Sequence, residues 1–269
     1  MTDAYCHATL NYSTALDYAP VEVPIRDGRV AAPGYEDGGF ELLRHESAVG
    51  DWRDAGEVAT VHGPEVERLA LDFLGCDRAL VYPPLVRSPA TARETADYAP
   101  ILFVHSDFTE DYRAMVCSPD RPYRHFVEPL LAAAGLDQHE LAQASRIVLL
   151  QFWRNIGARL PDHPLAYCDA RTVPPTQLRR ILVPEYGGQH LEFETFAVEP
   201  PASPDANDWY TYPGLGVDEV VAFRTYDSLL ADEGGHFWTP HSAFADPHAG
   251  ADAPQRESLE MRVLCLWGV

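Results

Sequence analysis

The segment Ile147-Val148-Leu149-Leu150-Gln151-Phe152-Trp153 constrains the fold more than any other part of this chain. It is apolar at nearly every position, so no register gives it a wet face, and it reads as a strand covered on both sides. A strand of that kind needs one layer above it and another below. From residue 178 onward, short apolar pieces alternate with turns: Ile181-Leu182-Val183, Leu191 to Phe196, Trp209 to Tyr212, Val220 to Phe223 and Met261 to Leu266. Many short strands separated by Pro- and Gly-rich turns predict a mainly β fold with flanking helices, a double-stranded β-helix of the jelly-roll or cupin-like kind. Pro64 opens a helical pattern carried by Val66, Leu69, Phe73 and Leu74, and Gly75 is placed to stop it. Further helices are expected over Phe126 to Leu131 and Leu136 to Ala144. Residues 1–60, rich in Gly, Pro and aromatics, read as short strands and loops around the core, and 98–269 as the jelly-roll core. The expectation is a single domain over 1–269.

Charge narrows the partners. The formal net charge is −21, which argues against a nucleic-acid or anionic-membrane surface and leaves a small molecule as the expected partner. There is no lysine, so any anionic ligand must be held by arginine, whose fork suits a carboxylate. The five cysteines are scattered and form no C-x-x-C pair, which speaks for a reducing compartment. With no visible secretory pattern and no apolar run of membrane length, the expected location is cytoplasmic. Oligomeric state is not legible.

The chemistry starts at Ile101-Leu102-Phe103-Val104, an apolar run that leads into His105-Ser106-Asp107. On a strand, positions i and i+2 share a face, so His105 and Asp107 present an imidazole and a carboxylate side by side. One more imidazole completes the 2-His-1-carboxylate set that binds iron(II) and leaves the opposite positions open. His125, His139, His163, His190 and His248 lie in polar or loop contexts. Of the remaining pair, His241 is preferred over His236, which follows Gly234-Gly235 and reads as a loop residue. An H-x-D tripeptide is common by chance, and a buried histidine bonded to a neighbour is its ordinary alternative. Arg256-Glu257-Ser258 adds specificity, because an arginine and a serine two apart on a strand can grip one carboxylate together.

These features together resemble the iron(II)/2-oxoglutarate-dependent oxygenases, in particular the branch with the cephamycin-pathway CmcJ protein and fungal AsaB-like hydroxylase/desaturases. The resemblance spans about residues 64 to 266. It is carried by Val104-His105-Ser106-Asp107, Gln151-Phe152-Trp153-Arg154, Asp162-His163-Pro164-Leu165-Ala166-Tyr167-Cys168-Asp169, Trp209-Tyr210-Thr211-Tyr212-Pro213, Asp218-Glu219, Tyr226-Asp227-Ser228, Thr239-Pro240-His241-Ser242 and Arg256-Glu257-Ser258. It implies iron on His105, Asp107 and His241, and the distal carboxylate of 2-oxoglutarate on Arg256 and Ser258. Dioxygen would be the oxidant, with hydroxylation, desaturation or cyclisation of a small secondary-metabolite or amino-acid-derived substrate as the outcome. Gln151 stands where this branch leads one to expect Asn, and Arg224 where it leads one to expect Lys; both are candidate cosubstrate contacts. Arg262 is a third candidate anion binder if the strand register is shifted, and otherwise a surface partner of Glu260. Trp153, Arg154, Trp209, Tyr210 and Tyr226 are candidates to line the substrate pocket, against the simpler reading that they are core. Two rival readings stand beside the oxygenase: a divalent-metal hydrolase with the same ligands, and a non-catalytic jelly-roll binding module.

Overall fold

In the computed structural model, which describes residues 4–269, the run at 147–153 lies in the middle of a sheet. The strands in chain order are β1 (Cys6–Ser13), β2 (Tyr18–Asp27), β3 (Phe40–Arg44), β4 (Arg78–Val81), β5 (Leu85–Arg87), β6 (His105–Ser106), β7 (Arg146–Asn155), β8 (Leu165–Cys168), β9 (Leu178–Tyr186), β10 (Gln189–Val198), β11 (Trp209–Thr211), β12 (Glu219–Asp227), β13 (His241–Ala243) and β14 (Ser258–Trp267). One sheet runs β1-β2-β11-β8-β13-β6-β10-β9, and the second runs β3-β12-β7-β14-β4 with β5 also paired to β14. β7 is antiparallel to β12 on one side and to β14 on the other, with Gln151 opposite both Phe223 and Arg262.

The alternation of β7 explains why it carries almost no polar residue. Val148, Leu150 and Phe152 pack outward against Val66 and Ala70 of the helix Gly63–Leu74. Ile147 and Leu149 point inward, toward the core shared with the opposite sheet. The strand is therefore covered on both sides, by helix and by sheet. That helix has Pro64 in its first turn and ends at Gly75, whose φ of +65° is the left-handed value glycine adopts without strain. The mainly β, two-sheet fold with flanking helices agrees with the expectation from sequence.

The N-terminal segment is more integral than a wrapping of short strands. β1 and β2 form a hairpin, and β2 joins the large sheet by pairing in parallel with β11. β3 meanwhile pairs with β12 in the second sheet. Trp209 is fully buried there, and its indole N–H donates to the Tyr12 hydroxyl at 2.9 Å. Residues 101–104, expected to be a strand, are not: only an isolated bridge joins Phe103 to Asn11, and regular pairing begins at His105. Pro100 lacks a ladder donor, and the Asn11 amide binds the Leu102 carbonyl at 2.8 Å in place of a neighbouring strand.

Arg154 needs a correction. It sits on the outward face of β7, opposite in parity to Gln151, and does not reach the space between the sheets. Its guanidinium is buried, donates to the carbonyls of His45 and Val217 and to His45 Nδ1 (2.6 Å), and lies 4.9 Å from the centroid of Trp52. Beside it the buried His62 bonds Glu65 through Nδ1 at 3.0 Å. Burial pushes His62 down from its ordinary 6.5 to about 4, with Arg154 and His45 adding to the effect and Glu65 opposing it. The fold thus holds His62 neutral while an unfolded chain protonates it, so its contribution is complete above pH 6.5 and is lost as pH falls toward 4. Between pH 7 and 5 the loss is about 2 kcal/mol, or several degrees of Tm. His62→Gln keeps a donor for Glu65 and is expected to remove that share of the fall. Thermal unfolding at the two pH values checks it, and an undiminished fall in the variant refutes it.

Candidate active site

His105 and His241 are brought together by strand pairing: β6 and β13 are antiparallel neighbours with these two residues directly opposed. Each ring donates its Nδ1–H to the carbonyl two residues earlier in its own chain, Phe103 for His105 and Thr239 for His241, both at 2.9 Å. That bond sets the tautomer and leaves Nε2 as a lone-pair donor. Both Nε2 atoms lie 3.6 Å from Asp107 Oδ1. All three side chains are buried.

The second carboxylate oxygen, Asp107 Oδ2, accepts from Arg262 at 3.0 Å. Burial alone would raise the Asp107 carboxyl, but the Arg262 guanidinium and the two imidazoles outweigh it and hold the group well below the usual carboxylate range. Burial together with the neighbouring His241 brings His105 down to about 4. With each Nδ1 bonded to a backbone carbonyl, two imidazole Nε2 atoms and a carboxylate oxygen face one another at 3.6 Å, beyond hydrogen-bond reach. Such a set is unsatisfied by hydrogen bonding and complete around a cation, for donors about 2 Å from one ion stand about 3–4 Å apart. Its two-nitrogen, one-oxygen composition fits iron(II) with open positions. His236 is not part of it: its ring packs against Trp238, and its carbonyl accepts from Arg224.

A cavity of about 610 Å³ opens from these three residues toward solvent. One of its walls carries polar atoms without partners. Arg256 is buried, donates one N–H to the His163 carbonyl at 3.2 Å, and leaves Nε unbonded. Desolvation brings its guanidinium down to about 10 even though Glu260 opposes that. Gln151 Oε1 and Ser258 Oγ are also buried and unbonded. Gln151 and Arg256 line the cavity; Ser258 is not in its lining but has the strand parity of Glu260 and Arg262, which are. Buried orphan groups of this kind are rare unless a ligand completes them.

Several sequence-derived candidates lie elsewhere. Arg224 is on the outward face of β12, bonded to the His236 carbonyl at 3.0 Å and 5.3 Å from the centroid of Tyr35. Trp153 underlies Arg256 at 5.8 Å but faces a separate small recess. Trp209 is core, Tyr210 packs near Phe40 and Arg26, and Tyr226 turns toward Tyr112 and Phe237. Conversely, Arg262 is neither on the surface nor a free anion binder, and Arg87 and Glu260, paired at 2.5 Å, were not anticipated on the cavity wall. For Glu260 and Arg262 the signal is in the sequence, since both share the parity of Arg256 and Ser258; for Arg87, on β5, there is none.

Comparison with known proteins agrees with this geometry. The sequence profile of the family described as "Oxidoreductase/YMDC permease-like domain" (YDMC) matches residues 3–266. An Aspergillus novofumigatus protein named Fe(II)/2-oxoglutarate-dependent dioxygenase nvfI is 27% identical over 80% of this chain and 70% of its own length. Hydroxylase/desaturase efuI of Hormonema carpetanum is 28% identical over 97% of this chain and 88% of its own. Among solved structures, the iron and alpha-ketoglutarate-dependent endoperoxidase NvfI superposes with a TM-score of 0.77 over 98% of both chains at 21% identity, which shows a shared fold. The chain thus belongs to this oxidoreductase family, and its relatives include proteins named Fe(II)/2-oxoglutarate-dependent dioxygenase and hydroxylase/desaturase.

Proposed function

We propose that this protein oxidises a small molecule at the 105/107/241 centre, with His105, Asp107 and His241 as the iron(II) ligands. Arg256, with Ser258 and Gln151, receives the 2-oxoglutarate. The observation that carries the proposal is the convergence of two Nε2 atoms and one carboxylate oxygen beside a cavity wall where Arg256 Nε and Gln151 Oε1 are buried and unbonded. Iron(II), 2-oxoglutarate and dioxygen together supply the oxidant for a C–H bond, with succinate and carbon dioxide as coproducts.

The chain's own residues supply position and exclusion. The backbone carbonyls of Phe103 and Thr239 hold the two imidazoles in their ligating tautomer. Arg262 occupies Asp107 Oδ2, which turns Oδ1 toward the histidines and favours one-oxygen ligation. Arg256 presents a guanidinium in a poorly hydrated wall, where a carboxylate partner gains most. A metal hydrolase with the same ligands has no use for that wall. The five cysteines are unpaired, which supports a reducing, cytosolic setting, and no helix among the described residues is long and apolar enough to cross a membrane.

Anaerobic loading with iron(II) and 2-oxoglutarate, followed by oxygen and a panel of small molecules, is expected to give succinate that a chelator abolishes. Binding of 2-oxoglutarate should weaken about tenfold or more without metal, since two of its oxygens lose their partner. Metal-independent binding with no succinate under any condition would reject the proposal, and turnover supported equally by zinc would point to a hydrolase.

A further inference from the structure

The dioxygenase reading leaves the substrate open, and the charges around the cavity restrict it. Three cations line the cavity: Arg87, Arg256 and Arg262. Arg87 is fully committed. Its Nε donates to Glu260 at 2.5 Å, and its terminal nitrogens donate to the carbonyls of Asp97 and Ala99 and to the Tyr186 hydroxyl. Arg262 is paired with Asp107. Arg256 has no carboxylate partner, and in the reading above it is taken by the cosubstrate. No lining cation then remains for an anionic group on a substrate. The lining carboxylates divide the same way: Asp107 and Glu260 are buried against arginines, while Asp97 and Glu185 are exposed at the mouth, where they repel an incoming anion.

Deeper inside, a cation is no better provided for, because neither buried carboxylate is free and the unpaired ones, Asp97 and Glu185, stand at the exposed mouth. The outer chamber is hydrocarbon in character, with Leu102, Phe108, Tyr123, Phe126, Leu191 and Phe193 on its walls. Three of the lining hydroxyls are already engaged, Tyr186 with Arg87, Tyr82 with Tyr112 and Thr195 with the Ser106 carbonyl, which leaves the phenols of Tyr98 and Tyr123 as neutral partners for a ligand. A polyhydroxylated ligand would lose water there and gain few bonds in return. A volume of about 610 Å³ is that of a pocket for a drug-sized molecule.

From this we infer that the substrate is a neutral, hydrocarbon-rich compound that carries no carboxylate, phosphate or ammonium group. The inference rests on the dioxygenase reading, through the assignment of Arg256 to 2-oxoglutarate. It excludes amino-acid-derived substrates that keep a free carboxylate or ammonium group.

Three probes with one skeleton test it: dehydroabietyl alcohol, dehydroabietic acid and dehydroabietylamine, titrated calorimetrically into the anaerobic protein loaded with iron(II) and 2-oxoglutarate. The alcohol is expected to bind at least about tenfold more tightly than either ion, because burying an unpaired charge forfeits its hydration. Iron-dependent binding of 2-oxoglutarate, measured first, separates the two levels of the argument. If it is absent, the dioxygenase reading falls and this inference with it. If it is present, but the acid or the amine binds as tightly as the alcohol, or the alcohol does not bind, this inference alone is overturned.

Discussion

Asp107→Ala is expected to remove iron binding and to destabilise the metal-free protein, whereas Asp107→Asn is expected to do mainly the first. The carboxylate has two duties on two oxygens: Oδ1 faces both Nε2 atoms, and Oδ2 neutralises the half-buried Arg262 guanidinium. Truncation to alanine strands that guanidinium, and breaking a buried pair from one side costs about 3–5 kcal/mol. Asparagine keeps the shape and an oxygen that accepts from Arg262, yet it loses the charge that binds a divalent ion. Changes one shell out from a metal cost roughly 10- to 100-fold in affinity, so loss of the ligand charge itself should exceed about 100-fold. Anaerobic iron titration and thermal unfolding of the metal-free proteins separate the two effects. The double variant Asp107→Ala/Arg262→Met should recover stability without recovering iron. Iron bound by Asp107→Asn with parental affinity would remove Asp107 from the ligand set. A metal-free Asp107→Ala as stable as its parent would show that the Arg262 pair contributes nothing.

Strand parity made part of this site legible and should have made more so. His105 and Asp107 are two apart and both line the cavity; Arg256 lines it as well, though Ser258, two residues on, does not. The same rule read further along β14 would have placed Glu260 and Arg262 on the cavity side, and it would have removed Arg154, an odd number of residues from Gln151. Trp209 and Tyr210 are adjacent on one strand and could not both have lined a pocket. Other facts were beyond any local rule. The pairing of β12 with β7 slips between Arg224 and Tyr226, leaving Thr225 as the extra residue, so parity on one side of the bulge says nothing about the other. The direct opposition of His241 to His105 depends on β13 entering between β8 and β6, a topological fact no short pattern encodes. Likewise the parallel pairing of β2 with β11 joins segments far apart in the chain, which is why residues 1–60 read as a wrapping and not as two sheets' worth of strands. Fold class was legible from the density of short strands; strand order was not.

Arg256→Met is expected to raise the dissociation constant for 2-oxoglutarate by about 30-fold or more, because truncating one member of a buried charged pair costs about 2–5 kcal/mol. Arg256→Lys keeps a charge but loses the fork and should fall between the two. Ser258→Ala removes one neutral donor, about 1 kcal/mol or roughly fivefold. Arg224→Met should leave the affinity within about twofold, since its guanidinium is committed to the His236 carbonyl on the far side of the sheet. None of these side chains touches His105, Asp107 or His241, so iron affinity should hold throughout. Stability supplies the sharper discrimination. Without cosubstrate, Arg256 is a buried cation with no carboxylate partner and an unbonded Nε, and desolvation has already pulled it down to about 10. Replacing it by an apolar side chain of similar length relieves that strain, so Arg256→Met should melt at or above its parent in the absence of 2-oxoglutarate. With saturating 2-oxoglutarate and metal the order should invert, for only the parent gains the binding energy. A parent and variant stabilised equally by 2-oxoglutarate would move the anchor off Arg256. A residue retained at a cost to the empty protein, and repaid only when a dicarboxylate arrives, is held there by function and not by the fold.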